Sequence, residues 1–417
     1  MKKTSTYYSF YPKVVRVKKR CSFCISALNA AARFQDDAYR LEIVPLCQSL
    51  ENSDKSYETF NVESFEGRLC FDYIFDEEQE YRIGVFSLQN SGAPLAEFPL
   101  YALGGDLFER IPYKGDLHVH SSYSHDGVES PEYVAASYRK RGYDFIAITD
   151  HGTPEGSLVA IDFFNESKTG LLILKGEEVH PPFNHIHTVN VGFDKSVNDF
   201  FRTESERALG EIRLLAERQN PQGVNAFEYA SNIYTYKKIK EFNGLSILCH
   251  PFWQPKAYHM PEKMLELLFE NREFDCFEVL GGHEVTFNNL QTAFYSQKRA
   301  EGQKIPIVGS NDSHGTEDTW RFDWFYTIAF CRGFDSEGIK EAILSGQSVA
   351  VESYPNERIR IYGDFRLVKY ALFLQQEYFP LHDELCFDEG IQMKTYKPGD
   401  ASLSSKTAAF AEIFFSR

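Results

Sequence analysis

Between residues 112 and 350 the chain repeats one pattern, a short apolar run followed by a stretch with helical spacing. Seven runs can be counted, at 116–120, 145–150, 171–178, 187–192, 245–250, 274–280 and 305–311. Several are nearly unbroken in apolar residues, as expected of parallel strands buried on both faces. Ser130 before Pro131 reads as a helix cap followed by proline in the first turn, and Gly142 as the stop. Stretches 204–219, 261–272 and 284–302 also carry apolar residues at helical spacing. Strands alternating with helices predict an α/β domain at 111–350, with a parallel sheet either open or closed into a barrel.

The flanks read differently. Residues 1–110 hold short runs at 14–17, 21–25, 39–44, 68–74 and 81–86 with partial period-two alternation, which predicts a small β-sandwich-like domain. Residues 351–417 are mixed, with an amphipathic helix expected over 366–378, and are expected to pack as an extension on the central domain.

The chemistry lies where the apolar runs end. The first run carries His118 and His120, and the second ends in Asp150 before His151. The third ends in Glu177 and Glu178, the fourth opens with His187, and the fifth ends in His250. The sixth carries Glu278, and the seventh leads into Asp312 and His314. Residues i and i+2 of a strand share a face, so His118 projects with His120, and Asp312 with His314. In parallel β/α barrels the C-terminal strand ends carry function. His187 is the exception, because it begins its run. Burying this many ionisable groups without partners is costly, and shared cations relieve the cost. The pattern therefore predicts a polynuclear metal centre.

Composition narrows the partners. The formal net charge is −16, which disfavours long nucleic acid, because phosphate binding needs a basic footprint. No run of about 18 apolar residues is present, and no apolar stretch follows the first lysines, so neither a membrane helix nor a secretory signal is expected. The 8 cysteines include one C-x-x-C pair, Cys21 and Cys24, and are expected to be reduced and packed as small apolar residues in a cytoplasmic protein.

The segments 116–127 (DLHVHSSYSHDG), 148–152 (ITDHG), 249–251 (CHP) and 309–315 (GSNDSHG) resemble, in order, motifs of the PHP (polymerase and histidinol phosphatase) family. The resemblance covers about residues 113–350. It implies a distorted seven-stranded, TIM-like β/α barrel holding three divalent ions, with zinc, manganese and iron all compatible with imidazole and carboxylate ligands. By the same resemblance, His118, His120, Glu178 and Asp312 share a first ion. Glu178 bridges to a second, held by His187 and His250, and Asp126, His151 and His314 hold the third. Three choices stay open on the residues alone: His125 or Asp126, Glu177 or Glu178, and His185 or His187. His180, His259 and His283 have no motif support and are expected at the surface or on the substrate side.

The expected activity is phosphoester hydrolysis of a small phosphorylated substrate or nucleotide by a metal-activated hydroxide, with Glu178 and His314 in the reacting centre. Asp150 is expected to orient a neighbour or accept a proton, and Glu278 to act from outside the ligands. Arg321, just past the last motif, is a candidate phosphate clamp. Trp253, Phe252 and Trp320 are candidates for an apolar wall. Three alternatives stand beside this activity: hydrolysis of a carboxyl ester, amide or carbamate, exonuclease action on oligonucleotide ends, and a non-catalytic metal-binding scaffold. Self-association is left open.

Overall fold

A computed structural model of the chain describes residues 6–35, 37–47, 57–89, 92–282, 284–317, 322–400 and 403–415. It is a mixed α/β protein that divides into two units. One comprises Met1–Ile111, Leu372–Leu381 and Lys406–Arg417, and the other Pro112–Ala371 and His382–Ser405. Within 351–417, Leu372–Leu381 and Lys406–Arg417 fall in the first unit and the other segments in the second.

Among the described residues the first unit is built on eight strands: β1 (Tyr8–Ser9), β2 (Val14–Arg16), β3 (Arg20–Ala27), β4 (Ala38–Pro45), β5 (Glu58–Phe65), β6 (Arg68–Ile74), β7 (Gln79–Ser87) and β8 (Ala96–Leu103). They form one sheet, in the order β1-β3-β6-β5-β4-β7-β8-β2, in place of the two facing sheets expected. The sheet curls because β5 changes partner. Its residues 58–63 pair with β4, whereas Ser64 and Phe65 pair with β6. Alternate residues such as Leu41, Ile43, Leu69, Phe71, Ile83 and Val85 turn to one buried core. Cys24 and Cys70 face each other across β3 and β6 and form a disulfide, so the expectation of reduced thiols fails at these two positions. Register, which local spacing does not reveal, brings them together.

The second unit contains all seven apolar runs. They appear as β9 (Ile111–Val119), β10 (Phe145–Ile148), β11 (Leu172–Leu174), β12 (Gly176–Val179), β13 (Thr188–Val191), β14 (Leu245–Leu248), β15 (Cys276–Leu280) and β16 (Ile307–Gly309). The third run is split at Lys175 into β11 and β12, which lie in different sheets. Three strands with no counterpart among the runs follow: β17 (Phe325–Cys331), β18 (Ser348–Glu352) and β19 (Arg360–Tyr362). One sheet has the order β11-β10-β9-β17-β18-β19, the other β12-β13-β14-β15-β16. Two parallel bridges, Val119 to Ser313 and His151 to Glu178, join them at the strand ends.

The direction of β13 departs from the expected parallel order, since it runs antiparallel to both β12 and β14. This resolves the exception at His187. The beginning of an antiparallel strand lies at the same edge as the ends of its parallel neighbours. The five predicted helices form: Pro131–Lys140, Ser205–Gln219, Glu262–Asn271, Val285–Ala300 and Phe365–Glu377. Gly142, at φ 87°, closes the first of them in a conformation that glycine adopts without strain.

Candidate metal centre

Glu178, the next-to-last residue of β12, is fully buried and sits at the middle of a histidine cluster. Its Oε1 lies 2.8 Å from His187 Nδ1, 3.2 Å from His250 Nε2 and 3.7 Å from His118 Nε2. Its Oε2 lies 2.5 Å from His151 Nδ1 and 3.7 Å from His120 Nε2. Asp312 Oδ1 approaches His120 Nε2 at 3.0 Å and His118 Nε2 at 3.3 Å. At the outer edge, Asp126 Oδ2 is 3.2 Å from His314 Nε2 and 3.5 Å from His151 Nε2. The nine residues that the sequence offered as ligands are therefore neighbours in one cluster.

Two of the three open choices separate geometrically. Glu177 points away from the histidines. Its carboxylate accepts bonds from Asn190 Nδ2, Ser196 Oγ, the amide N–H groups of Val197 and Asn198, and Asn198 Nδ2, which ties it to the start of the helix Val197–Thr203. Asp126 approaches both His151 and His314, and the exposed His125 also falls within 4.8 Å of Asp126 and His151, so either residue is in reach of an ion there. His187 contacts Glu178, and His185 stands farther out beside His259.

Supporting groups fix the rings. Glu278 Oε2 takes the N–H of His118 Nδ1 at 2.9 Å, and its Oε1 accepts the His250 amide. Nε2 of His118 is thereby aimed at Glu178 and Asp312. Ser124 Oγ lies 2.9 Å from His120 Nδ1 and accepts the His151 amide. Asp150 holds that turn. Its Oδ1 accepts the Ser121 and Ser124 amides, and its Oδ2 accepts the Ser121 hydroxyl. Both oxygens are thus engaged in positioning, and Asp150 is not among the residues lining the cavity. A side chain at Gly156 would place its Cβ 1.8 Å from Asp150 Oδ2, so only glycine fits there.

Asp116 is a group that the sequence reading did not single out. It accepts bonds from Asn311 and from Tyr138, whose hydroxyl also contacts Ser313, and so it anchors the 311–314 segment to β9. Burial pushes its carboxyl up to about 7 despite those donors. The signal was present, because Asp116 has i, i+2 spacing to His118.

The electrostatics are those of an assembled site. Burial alone would raise the Glu178 carboxyl, but His187, His118 and His151 hold it well below the ordinary range. Burial lowers His120 to about 4, although Asp312 and Glu178 oppose this. Burial would also lower His118, but Asp312, Glu278 and Glu178 raise it well above its ordinary value. His250 and Asp312 adopt positive φ, 30° and 49°. Strained backbone at two candidate ligands is the kind of local cost that functional sites retain.

The donor set fits divalent ions. His118 Nε2, His187 Nδ1 and Glu178 Oε2 are buried and lack a hydrogen-bond partner, although other ligand atoms lie 2.5–3.7 Å away. Lone pairs converging without donors between them leave a role for cations. Ligand atoms of His118, His120 and Asp312, of His120, His151 and His314, and of His151, Glu178, His180 and His187 fall within 4.8 Å of one another.

Above the cluster opens a cavity of about 530 Å³, lined by His125, Asp126, His151, His180, His185, His187, His250, Trp253, Pro255, His259, Asp312 and His314. His180 and His259, expected only at the surface or the substrate side, both line it. His180 Nε2 is 3.0 Å from His151 Nδ1, and His259 is buried. Trp253 is part of the wall, whereas Phe252 turns into the hydrophobic core. Arg321, Trp320 and His283 lie outside the described residues. Among the described lining residues there is neither lysine nor arginine. No described helix is long and apolar enough to cross a membrane.

Residues 116–283 match the family model of the PHP domain. An uncharacterised protein of Methanocaldococcus jannaschii is 28% identical over 149 residues, 33% of this chain and 68% of that protein. Among solved structures, a two-domain protein from Bacteroides vulgatus containing a predicted PHP-like metal-dependent phosphoesterase is similar at 17% identity and TM-score 0.41, over 58% of this chain and 65% of that one. The lesion-specific endonuclease Q of Pyrococcus furiosus is similar at 14% identity and TM-score 0.35, over 60% of this chain and 58% of that one. The alignment thus spans less than two thirds of either solved chain. The chain carries a PHP domain over residues 116–283.

Proposed function

We propose that this chain, with its PHP domain, is a phosphoesterase acting on a small phosphorylated substrate or a nucleotide, with three divalent ions of the zinc, manganese or iron type. One observation carries the reading: the candidate ligands converge on Glu178 at the floor of an open cavity. His118, His120, Glu178 and Asp312 would hold one ion. His187 and His250, with Glu178 shared, would hold the second, and Asp126, His151 and His314 the third. The two sheets and their bridges are read as one distorted seven-stranded barrel whose functional edge bears these residues. A cytoplasmic location remains part of the proposal.

Bound ions in such a centre supply Lewis acidity and lower the pKa of a coordinated water. The protein's part is orientation. Glu278 sets the tautomer of His118, Ser124 orients His120, and Asp150 fixes the turn that carries Ser124. Asp150 is therefore assigned a positioning role in place of proton transfer. His314, with Nδ1 on the Asp312 carbonyl and Nε2 toward Asp126, would serve the reacting centre as a ligand of the third ion. Arg321 remains the proposed clamp for the phosphoryl group.

The second reading is hydrolysis of a carboxyl ester, amide or carbamate. It is favoured by the lack of lysine and arginine among the described lining residues. Oligonucleotide ends are a further substrate class to test, against the net charge of −16. The deciding experiment measures metal content and assays phosphomonoesters, phosphodiesters, short oligonucleotides, carboxyl esters and amides with Mn, Zn and Fe. The same panel is run on His118→Ala and Asp312→Ala. Two to three ions per chain and phosphoester turnover abolished in both variants support the proposal. Turnover of carboxyl esters or amides alone selects the second reading. Bound metal with no turnover on any substrate leaves a scaffold, and no stoichiometric metal overturns the reading.

A further inference from the structure

The segment joining β14 to the helix Glu262–Asn271 folds back over the centre. Its two ends are tied by backbone bonds, Trp253 N–H to His250 O (3.1 Å), His259 N–H to Trp253 O (2.6 Å) and Met260 N–H to Pro251 O (3.0 Å). Near its end stands His259, only 3% exposed. Its Nε2 accepts the backbone N–H of His187 at 3.0 Å. Its ring centroid is 4.9 Å from that of His187 and 4.9 Å from that of His250, at steep interplanar angles of 69° and 67°. It thus stands between the two histidines that approach Glu178 Oε1.

His187 needs such a partner. It precedes β13, so its amide lies outside the ladder that begins with Thr188 opposite Leu248. The stretch before it, from Pro181, is irregular and makes few backbone bonds, chiefly Asn184 N–H to Pro181 O. The attachment is reinforced one residue away on each side, where Ile186 and Met260 are buried in the same hydrophobic cluster. An imidazole accepting through Nε2 carries its proton on Nδ1, so the contact also fixes the tautomer of His259.

We propose that His259 is a positioning residue that sets His187 and His250 as a pair, by accepting the His187 amide and bracing both rings from one side. No sequence motif marks it, because it acts through a backbone group of a residue 72 positions away. The proposal rests on the reading of His187 and His250 as ligands of one ion. Partners that orient a ligating histidine affect metal affinity by about 10–100-fold when removed.

The test uses the full chain as wild type, His259→Ala, His259→Gln and His259→Phe. Metal stoichiometry and affinity are read by chelator competition with Zn and Mn. Amide hydrogen exchange at His187 is read on the metal-free protein. For His259→Ala the expected result is one metal equivalent weakened by about tenfold or more, the other equivalents unchanged, and faster exchange at His187. Glutamine can offer an oxygen to the same N–H and should restore part of both. Phenylalanine keeps the wall without the acceptor and should behave like alanine in exchange. Wild-type affinity and exchange in His259→Ala would overturn the proposal while leaving the metal centre standing. Equal weakening of every equivalent without recovery by glutamine would also overturn it, as general loosening. A wild-type chain that binds no metal overturns the reading of the centre itself, and this proposal with it.

Discussion

Replacing Glu278 by glutamine tests whether His118 presents a lone pair to the centre. Both carboxylate oxygens are in use, Oε2 on His118 Nδ1 at 2.9 Å and Oε1 on the His250 amide at 3.3 Å. A carboxylate accepts at both atoms, so Nδ1 of His118 carries a proton in either charge state, and Nε2, which faces Glu178 and Asp312, is the nitrogen left to ligate an ion. An amide has one acceptor and one donor. If its oxygen keeps the His250 N–H, its NH₂ faces Nδ1 and drives the proton of His118 to Nε2, where it blocks ligation. If it flips, the His250 N–H meets a donor, and a buried group is left unsatisfied at a cost of about 1–3 kcal/mol. Either arrangement should weaken metal binding by about 10–100-fold, or about 1.4–2.7 kcal/mol. Chelator competition on the folded variant measures this, with the Tm of the metal-free protein recorded separately. Wild-type affinity in Glu278→Gln would refute the tautomer argument.

Other outcomes follow from contacts elsewhere. Glu177→Ala removes the acceptor for five donors near the helix Val197–Thr203 and should cost roughly 3 kcal/mol in urea unfolding, yet leave metal stoichiometry intact. Glu178→Ala should do the reverse and lose metal. Arg139→Met strands the buried Asp144 and Glu389, which lie 2.9 and 2.8 Å from the guanidinium, and should cost about 3–5 kcal/mol. Burial would raise the carboxyls of Asp144 and Glu389, but His382 and Arg139 hold the first below its ordinary value, and Arg139 with Thr169 and the Gly170 amide the second. Folded pKa values below the unfolded ones near ~4 mean stability present above that pH and lost as pH falls through the folded values. Wild-type stability should therefore drop below about pH 4 with a steeper slope than in Arg139→Met, and identical slopes would count against the assignment. Cys24→Ser with Cys70→Ser opens a cross-link of sequence separation 46 and should destabilise the first unit by up to about 4 kcal/mol, read by denaturation with and without reductant.

The sequence by itself determined the α/β character of the middle region and the location of its chemistry. Apolar runs ending in His118, His120, His151, Glu178, His250 and Asp312 were visible because a strand has a fixed period and buried ionisable groups need partners. Most helix positions were legible for the same local reasons, such as Ser130-Pro131 before the helix Pro131–Lys140. Pairing was not legible, because it depends on residues far apart in the chain. The antiparallel direction of β13 decided that His187 faces Glu178. Opposite side-chain directions on β12 decided that Glu178 enters the centre and Glu177 holds a helix. Register across β3 and β6 decided the Cys24–Cys70 disulfide. His259 and Asp116 acquire their roles only where strands and loops remote in sequence meet, since a hydrogen bond to a distant backbone amide leaves no local pattern in the chain.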